Sequence, residues 1–275
     1  WKLRYEWSEP VREKFDIVGT LIYMLSVSML MYGFSSLPET PAIILTLAGL
    51  TGLFVFAKVE LMLDSPVLNI HLFTQNRIFA LANLSALINY AATFAMSFML
   101  SLYLQYVKGM EAREAGLILI AQPVMMALVA SFSGRLSDKM NPRILAAIGM
   151  AISTLGLLIL SFIGSDTSNL YIVSGLVVLG IGFGMFSSPN TNVVMSSVDK
   201  KSYGIASATV STMRNTGMMF SMAIASLVIH SFLGDARISI ENLPQFILST
   251  KLVFGIFTAL CFAGVFASLA RNKKK

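Results

Sequence analysis

Eight long apolar runs alternate with short polar breaks along the chain, near residues 17–37, 42–59, 78–104, 115–133, 144–163, 170–195, 203–232 and 246–270. Each approaches or exceeds the ~20 residues that a helix needs to cross the hydrocarbon core of a bilayer. The pattern therefore predicts an all-α, polytopic membrane protein with eight transmembrane helices. Leu37-Pro-Glu-Thr-Pro41 joins the first two runs, and so short a connection forces an antiparallel hairpin over residues 17–60. Residues 61–77 read differently. There Pro66, Asn69, His71 and Gln75 alternate with Val67, Leu68, Ile70, Leu72 and Phe73, as in an amphipathic linker lying on the membrane surface with His71 solvated. Residues 1–16 mix Trp1, Tyr5 and Trp7 with Lys2, Arg4, Arg12 and Lys14, an interfacial composition. Residues 271–275 form a basic tail.

Composition agrees with the pattern. Only 12% of the 275 residues are charged against 56% hydrophobic, too little charge for the surface of a soluble domain. The net charge of +6 is then a statement about topology, and nucleic acid is not an expected partner. With the N-terminus inside, fifteen of the twenty Lys and Arg fall in the inner segments, four fall in the outer ones and Arg214 lies within a span. This asymmetry predicts eight crossings of the cell membrane with both ends cytoplasmic. Cys261 is the single cysteine, which excludes an intrachain disulfide and a cysteine metal cluster. The sequence has no Walker loop, no Gly-x-Ser-x-Gly elbow, no His-Glu-x-x-His and no His pair at ligand spacing. It reads as no enzyme, with no cofactor and no metal.

The break Gly134-Arg-Leu-Ser-Asp-Lys-Met-Asn-Pro-Arg143 sets Arg135, Lys139 and Arg143 beside one carboxylate, Asp138. It reads as a tight loop between two spans, or as a gate in which Asp138 accepts hydrogen bonds from a facing helix N-terminus and pairs with a cation. The string resembles the signature loop of the major facilitator superfamily. Gly134, Leu136, Asp138, Lys139 and Arg143 match its pattern, Ser137 replaces a small Ala, and Asn141-Pro142 replace Gly and Arg.

Leu72-Phe73 after a Pro, the string from Gly180 to Asn190, the stretch Tyr203–Ala208 and Met213-Arg-Asn-Thr-Gly217 are similar to one branch of that superfamily, the fourteen-span drug:proton antiporters. That branch inserts two helices between six-helix halves. The resemblance implies that this chain is the inserted pair plus the C-terminal half, residues 78–270, built as two three-helix repeats of inverted topology. A free-standing eight-helix protein is the alternative. It also implies proton-driven export of lipophilic or cationic small molecules by alternating access, with the lipid bilayer, such substrates and protons as partners. Export of one metabolite, sugar or siderophore is a second possibility, and a non-transporting membrane scaffold a third.

Several residues carry possible chemistry. No carboxylate falls near the middle of a span, although proton coupling needs a protonatable group at membrane depth. The resemblance places those carboxylates in the other half. Arg214 lies eleven residues into its run, about 15 Å at the helical rise. Such an Arg is either paired or snorkelling, and the resemblance gives it a structural or gating role. Asn83, Tyr90, Phe94 and Ser97 share one helical face, Gln122 precedes the helix-bending Pro123, and Asn215, Met218 and Met222 share another face. These polar groups and flexible thioethers fit either interhelical packing or the wall of a cavity for varied substrates. In the resembled fold the third, fourth, sixth and seventh runs line such a cavity, which makes Asn83, Tyr90, Phe94, Gln122, Asn215, Met218 and Met222 the candidate wall. Asn83-Leu-Ser85 matches a glycosylation sequon but sits at membrane depth. Gly180 with Gly184, and Gly255, Ala259, Ala263 and Ala267, repeat every fourth residue and are expected at close helix–helix contacts.

Overall fold

A computed structural model describes residues 16–36, 39–62, 71–234 and 236–270. The N-terminal segment, the centre of the linker and the basic tail lie outside the described residues. Among those described, secondary structure is helical throughout, with eight helices long and apolar enough to span a bilayer. The elements are α1 (Ile17–Ser35), α2 (Thr40–Glu60), α3 (His71–Gln75), α4 (Arg77–Leu102), α5 (Ala112–Leu119), α6 (Ala121–Ser137), α7 (Pro142–Leu160), α8 (Asn169–Ser196), α9 (Tyr203–Leu233) and α10 (Leu243–Leu269).

Capping residues set where the helices begin. Asp16 accepts from the Gly19 amide at 2.9 Å and Asn76 from the Phe79 amide at 3.0 Å. Asn141 accepts from Arg143 ahead of Pro142, the first residue of α7. Each cap satisfies an amide that the first helical turn leaves without a partner. The fourth span is broken into α5 and α6 at Ile120. Pro123 lacks an N–H and its ring crowds the carbonyl of Leu119, four residues earlier, so the break falls where the proline puts it. α4 ends in a π-helical turn, Tyr103–Val107. There the Tyr103 hydroxyl donates to the Gly164 carbonyl at 2.5 Å and Lys108 Nζ to the Ser165 carbonyl at 2.9 Å, tying α4 to the α7–α8 loop.

The last six spans pack with an internal symmetry. α4, the α5–α6 span and α7 form one set, and α8, α9 and α10 the other. α4 packs on α9 and α10, α6 and α7 both pack on α8, and α7 meets α10. Exchanging the first set for the second maps the contacts of α4 with α9 and α10 onto those of α8 with α6 and α7, and the α7–α10 contact onto itself. A repeat of three spans ends on the side opposite its start, so the two sets run in opposite directions through the membrane. Met96, Met99, Leu100, Tyr103, Leu157, Phe186, Phe254 and Phe257 form the buried core between α4, α7, α8 and α10.

Glycine allows close approach of neighbouring helices. Cβ atoms on Gly149 and Gly182 would run into the facing backbone across α7 and α8. Gly180 and Gly184 likewise lie against α6, as the four-residue spacing predicts. The stripe in α10 does not behave that way. Gly255, Ala259 and Ala263 are exposed, and open space surrounds Gly255. The packed face of α10 carries Val253, Phe254, Phe257, Cys261, Gly264 and Ser268 instead. That face packs bulkier side chains against the bundle than a stripe of methyl groups could, and this packing set the rotation of the helix.

α1 and α2 form the expected hairpin, with Gly49 against the backbone of Ser26 and Leu30. α1 attaches it to α9. The Tyr23 hydroxyl and Thr212 Oγ1 are 2.6 Å apart, and the Phe34 and Phe220 rings are 4.4 Å apart between centroids.

Candidate functional site

Four spans of the bundle line an open cavity of about 610 Å³. α4 contributes Tyr90, Thr93, Phe94, Ser97 and Phe98, α6 contributes Gln122 and Met126, α8 contributes Phe183, and α9 contributes Met218 and Met222. No charged side chain is among them. Ser97 Oγ donates to Gln122 Oε1 at 3.3 Å, the one side-chain hydrogen bond seen between two lining residues. The thioethers of Met126, Met218 and Met222 can adapt to ligands of different outline.

Tyr90 ends the cavity toward the end at which α1 starts. Its ring meets Phe183 edge to face at 5.1 Å, and the Arg214 guanidinium lies over it at 5.6 Å. Arg214 Nη2 donates to Thr191 Oγ1 at 2.7 Å, while Nε is buried without a hydrogen bond. Arg214 therefore joins α9 to α8 and α4 and does not snorkel freely. Toward the other end, Phe98 and Met222 also line a second chamber of about 460 Å³ together with Phe34, Leu102, Ser226, Ile229 and His230.

The candidate wall residues separate into two groups. Tyr90, Phe94, Gln122, Met218 and Met222 line the cavity together. Asn83 does not. It is wholly buried, and its amide nitrogen donates to the Phe79 carbonyl at 3.0 Å in its own helix. This burial also closes off the sequon. Asn215 is exposed and stands about one turn from the cavity floor, outside the lining set. The sequence reading passed over Thr93, Phe98, Met126 and Phe183. Thr93 and Phe98 follow Tyr90 and Phe94 at helical spacing, so that signal was available. Phe183 carried no such signal. It reaches the cavity because Gly180, Gly182 and Gly184 hold α8 tightly against its neighbours.

The loop around Asp138 is fixed to α8 through groups other than Asp138. Asn192 Nδ2 donates to Ser137 Oγ at 2.6 Å, and Ser137 Oγ donates to the Gly134 carbonyl at 2.7 Å. A Cβ on Gly134 would come within 3.3 Å of Ser188 Oγ, so a small residue belongs there. Asp138 closes the C-terminal end of α6 and is exposed, as are Arg135 and Lys139, while Leu136 and Arg143 are half-buried. No hydrogen bond or ion pair of the Asp138 carboxylate is seen among the described residues, and Arg214 lies elsewhere, on the cavity floor. Within the spans, the described carboxylates occur only in first or last turns, as with Glu60 and Glu114.

The chain is similar to known proteins. The riboflavin transporter RibZ of Clostridioides difficile is 24% identical over 95% of this chain. The uncharacterized transporter YebQ of Escherichia coli is 25% identical over 97% of it, and the lincomycin resistance protein LmrB of Listeria innocua 25% over 95%. The chain spans 57% of the length of the first two. Among solved structures, the nucleoside transporter NupG (D323A mutant) superposes with a TM-score of 0.59 at 14% identity, covering 93% of this chain and 65% of NupG. A bacterial homologue of the lysosomal transporter Spinster, inward-facing and occupied, gives 0.53 at 16% identity, covering 92% and 66%. At such identities these structures speak for the fold alone. The sequence pattern of the Major Facilitator Superfamily matches residues 80–275, which takes in all six spans of the bundle. The chain belongs to the Major Facilitator Superfamily.

Proposed function

We propose that the chain is the inserted hairpin and C-terminal half of a secondary transporter of the fourteen-span drug:proton antiporter branch, which exports lipophilic or cationic compounds by alternating access. The cavity carries this reading. Its wall is aromatic and thioether-rich, with a few uncharged polar groups, so it can hold varied lipophilic molecules through shape and dispersion. Aromatic faces such as Tyr90, Phe94 and Phe98 also suit organic cations. Relatives named for lincomycin resistance and, in Mycobacterium tuberculosis, for multidrug resistance agree with it. The described spans hold no carboxylate at membrane depth, so proton coupling is assigned to the remainder of the protein. Gly134, Leu136, Asp138, Lys139 and Arg143 form the gate loop in this proposal. Asp138 engages a helix terminus of the other half in one state of the cycle and is released in the other. The basic excess in the sequence supports a topology with both ends of this chain in the cytoplasm of a cell-membrane protein.

The test uses the full-length protein in proteoliposomes with an imposed pH gradient. Gradient-dependent flux of a lipophilic cation such as ethidium is expected, and no flux of any lipophilic cation would leave the scaffold reading standing. The riboflavin transporter among the relatives favours a second reading, one specific metabolite. Gln122→Ala separates the two. A polyspecific pump changes its order of substrate preference, whereas a specific exporter loses its single substrate because a buried polar partner goes missing.

A further inference from the structure

A third cavity, also of about 460 Å³, lies between the hairpin and the bundle, outside the site described above. Its walls come from α1, α2, α4 and α9, with Phe73 of α3 at one end. We propose that it binds one acyl chain of a membrane phospholipid, taken from the leaflet at the end where α1 starts. The inference does not depend on what the protein transports.

The lining is almost wholly apolar. Of its four hydroxyls, those of Tyr23 and Thr212 are bonded to each other, Thr209 Oγ1 donates to the Ile205 carbonyl of its own helix, and Thr216 alone is left to meet a guest. A trapped water needs about two to four polar partners, and this wall does not offer them. Small residues, Ala57 on α2 and Ala208 on α9, leave the space between facing helices that side chains do not fill. A void of this size within the hydrocarbon region would forfeit dispersion contacts along its whole lining. Hydrocarbon is the solvent available to fill it.

Its length and position suit a chain that enters from one leaflet. The lining on α9 runs from Ile205 to Phe220. At ~1.5 Å per residue that is about 22 Å, which exceeds the ~15 Å half-thickness of a bilayer core. The cavity begins two residues inside α9, near the membrane surface. At the other end Leu30 and the Phe34–Phe220 ring pair separate it from the chamber beside His230. A chain entering from the surface would run to a blind end. The headgroup would then lie near the exposed cations Arg77, Lys200 and Lys201, at the same end of the lining elements as Asp16, Glu60 and Asp199, whereas Lys58 stacks on Phe54 on the open face of α2. Cations at this level are attractive to lipid phosphate. The hairpin reaches α9 through α1, so a chain lodged here fills the seam that α2 leaves open.

The experiment uses the full-length protein in nanodiscs of phosphatidylethanolamine and phosphatidylglycerol, with a trace of phospholipid carrying a diazirine at mid-chain. Irradiation and peptide mass spectrometry are expected to give adducts on Val27, Leu53 and Met213. Moving the diazirine to the chain terminus should shift them toward Leu30 and Phe220. Ala208→Phe, which fills the cavity, should reduce cavity adducts severalfold and leave those on Leu47 and Phe54, on the open face of α2, unchanged. Ala57→Phe serves if that variant does not fold. The proposal is overturned if the cavity residues take no label, as when the rest of the protein covers them. It is equally overturned if terminal and mid-chain probes label alike. Displacement of the label by tetraphenylphosphonium would make this a substrate site and also end it.

Discussion

The Arg214 guanidinium lies 5.6 Å over the Tyr90 ring and donates to Thr191 at 2.7 Å, so one cation joins three spans beneath the cavity. Arg214→Gln removes a cation–π contact and a charge-assisted hydrogen bond, and is expected to destabilise by about 1–3 kcal/mol. Arg214→Lys keeps the charge but loses the planar stacking, and should fall between. Thermal unfolding of the purified protein checks the order. In a double-mutant cycle with Tyr90→Ala the losses should be less than additive, and full additivity would mean that the two groups do not interact.

Gly149→Ala and Gly182→Ala each force α7 and α8 apart and should cost about 1–3 kcal/mol, seen as lower yield and lower melting temperature. Gly255→Ala meets nothing and should be neutral or slightly stabilising. Equal damage at Gly149 and Gly255 would contradict the assigned rotation of α10.

Pro123→Ala restores an amide donor and lets α5 and α6 join into one helix, with a local gain of up to about 3 kcal/mol in helix propensity. Straightening should carry Gln122 away from Ser97 and slow transport. A short bifunctional thiol linker between cysteines placed at Ser97 and Gln122 should react well in the parent protein and poorly in Pro123→Ala.

Cys261 is wholly buried, with Sγ 3.5 Å from the Met150 carbonyl. Maleimides should leave it unlabelled until the protein is denatured. Against that silent background, and with any other cysteines of the full-length protein replaced, Asp138→Cys and Arg237→Cys should react with an impermeant reagent from opposite sides of the membrane. Reaction of both from one side would refute the topology.

Much of this molecule is written in one dimension. A bilayer demands about 20 consecutive apolar residues and internal satisfaction of every backbone group, so eight runs read as eight spans without any knowledge of contacts. Pro123 fixed its break by removing a donor, a local effect. Membrane depth was legible too, because the distance of Arg214 or Glu60 from a helix end is a count of residues. Rotation about the helix axis was not legible. Lipid is as apolar as the core, so hydrophobicity does not say which face turns inward. Hence the small-residue stripe of α10 faces out, Asn83 is sealed against its own helix, and Phe183 enters the cavity unannounced. Tertiary packing alone set these rotations, by matching glycine surfaces to backbone and burying the bulkiest faces.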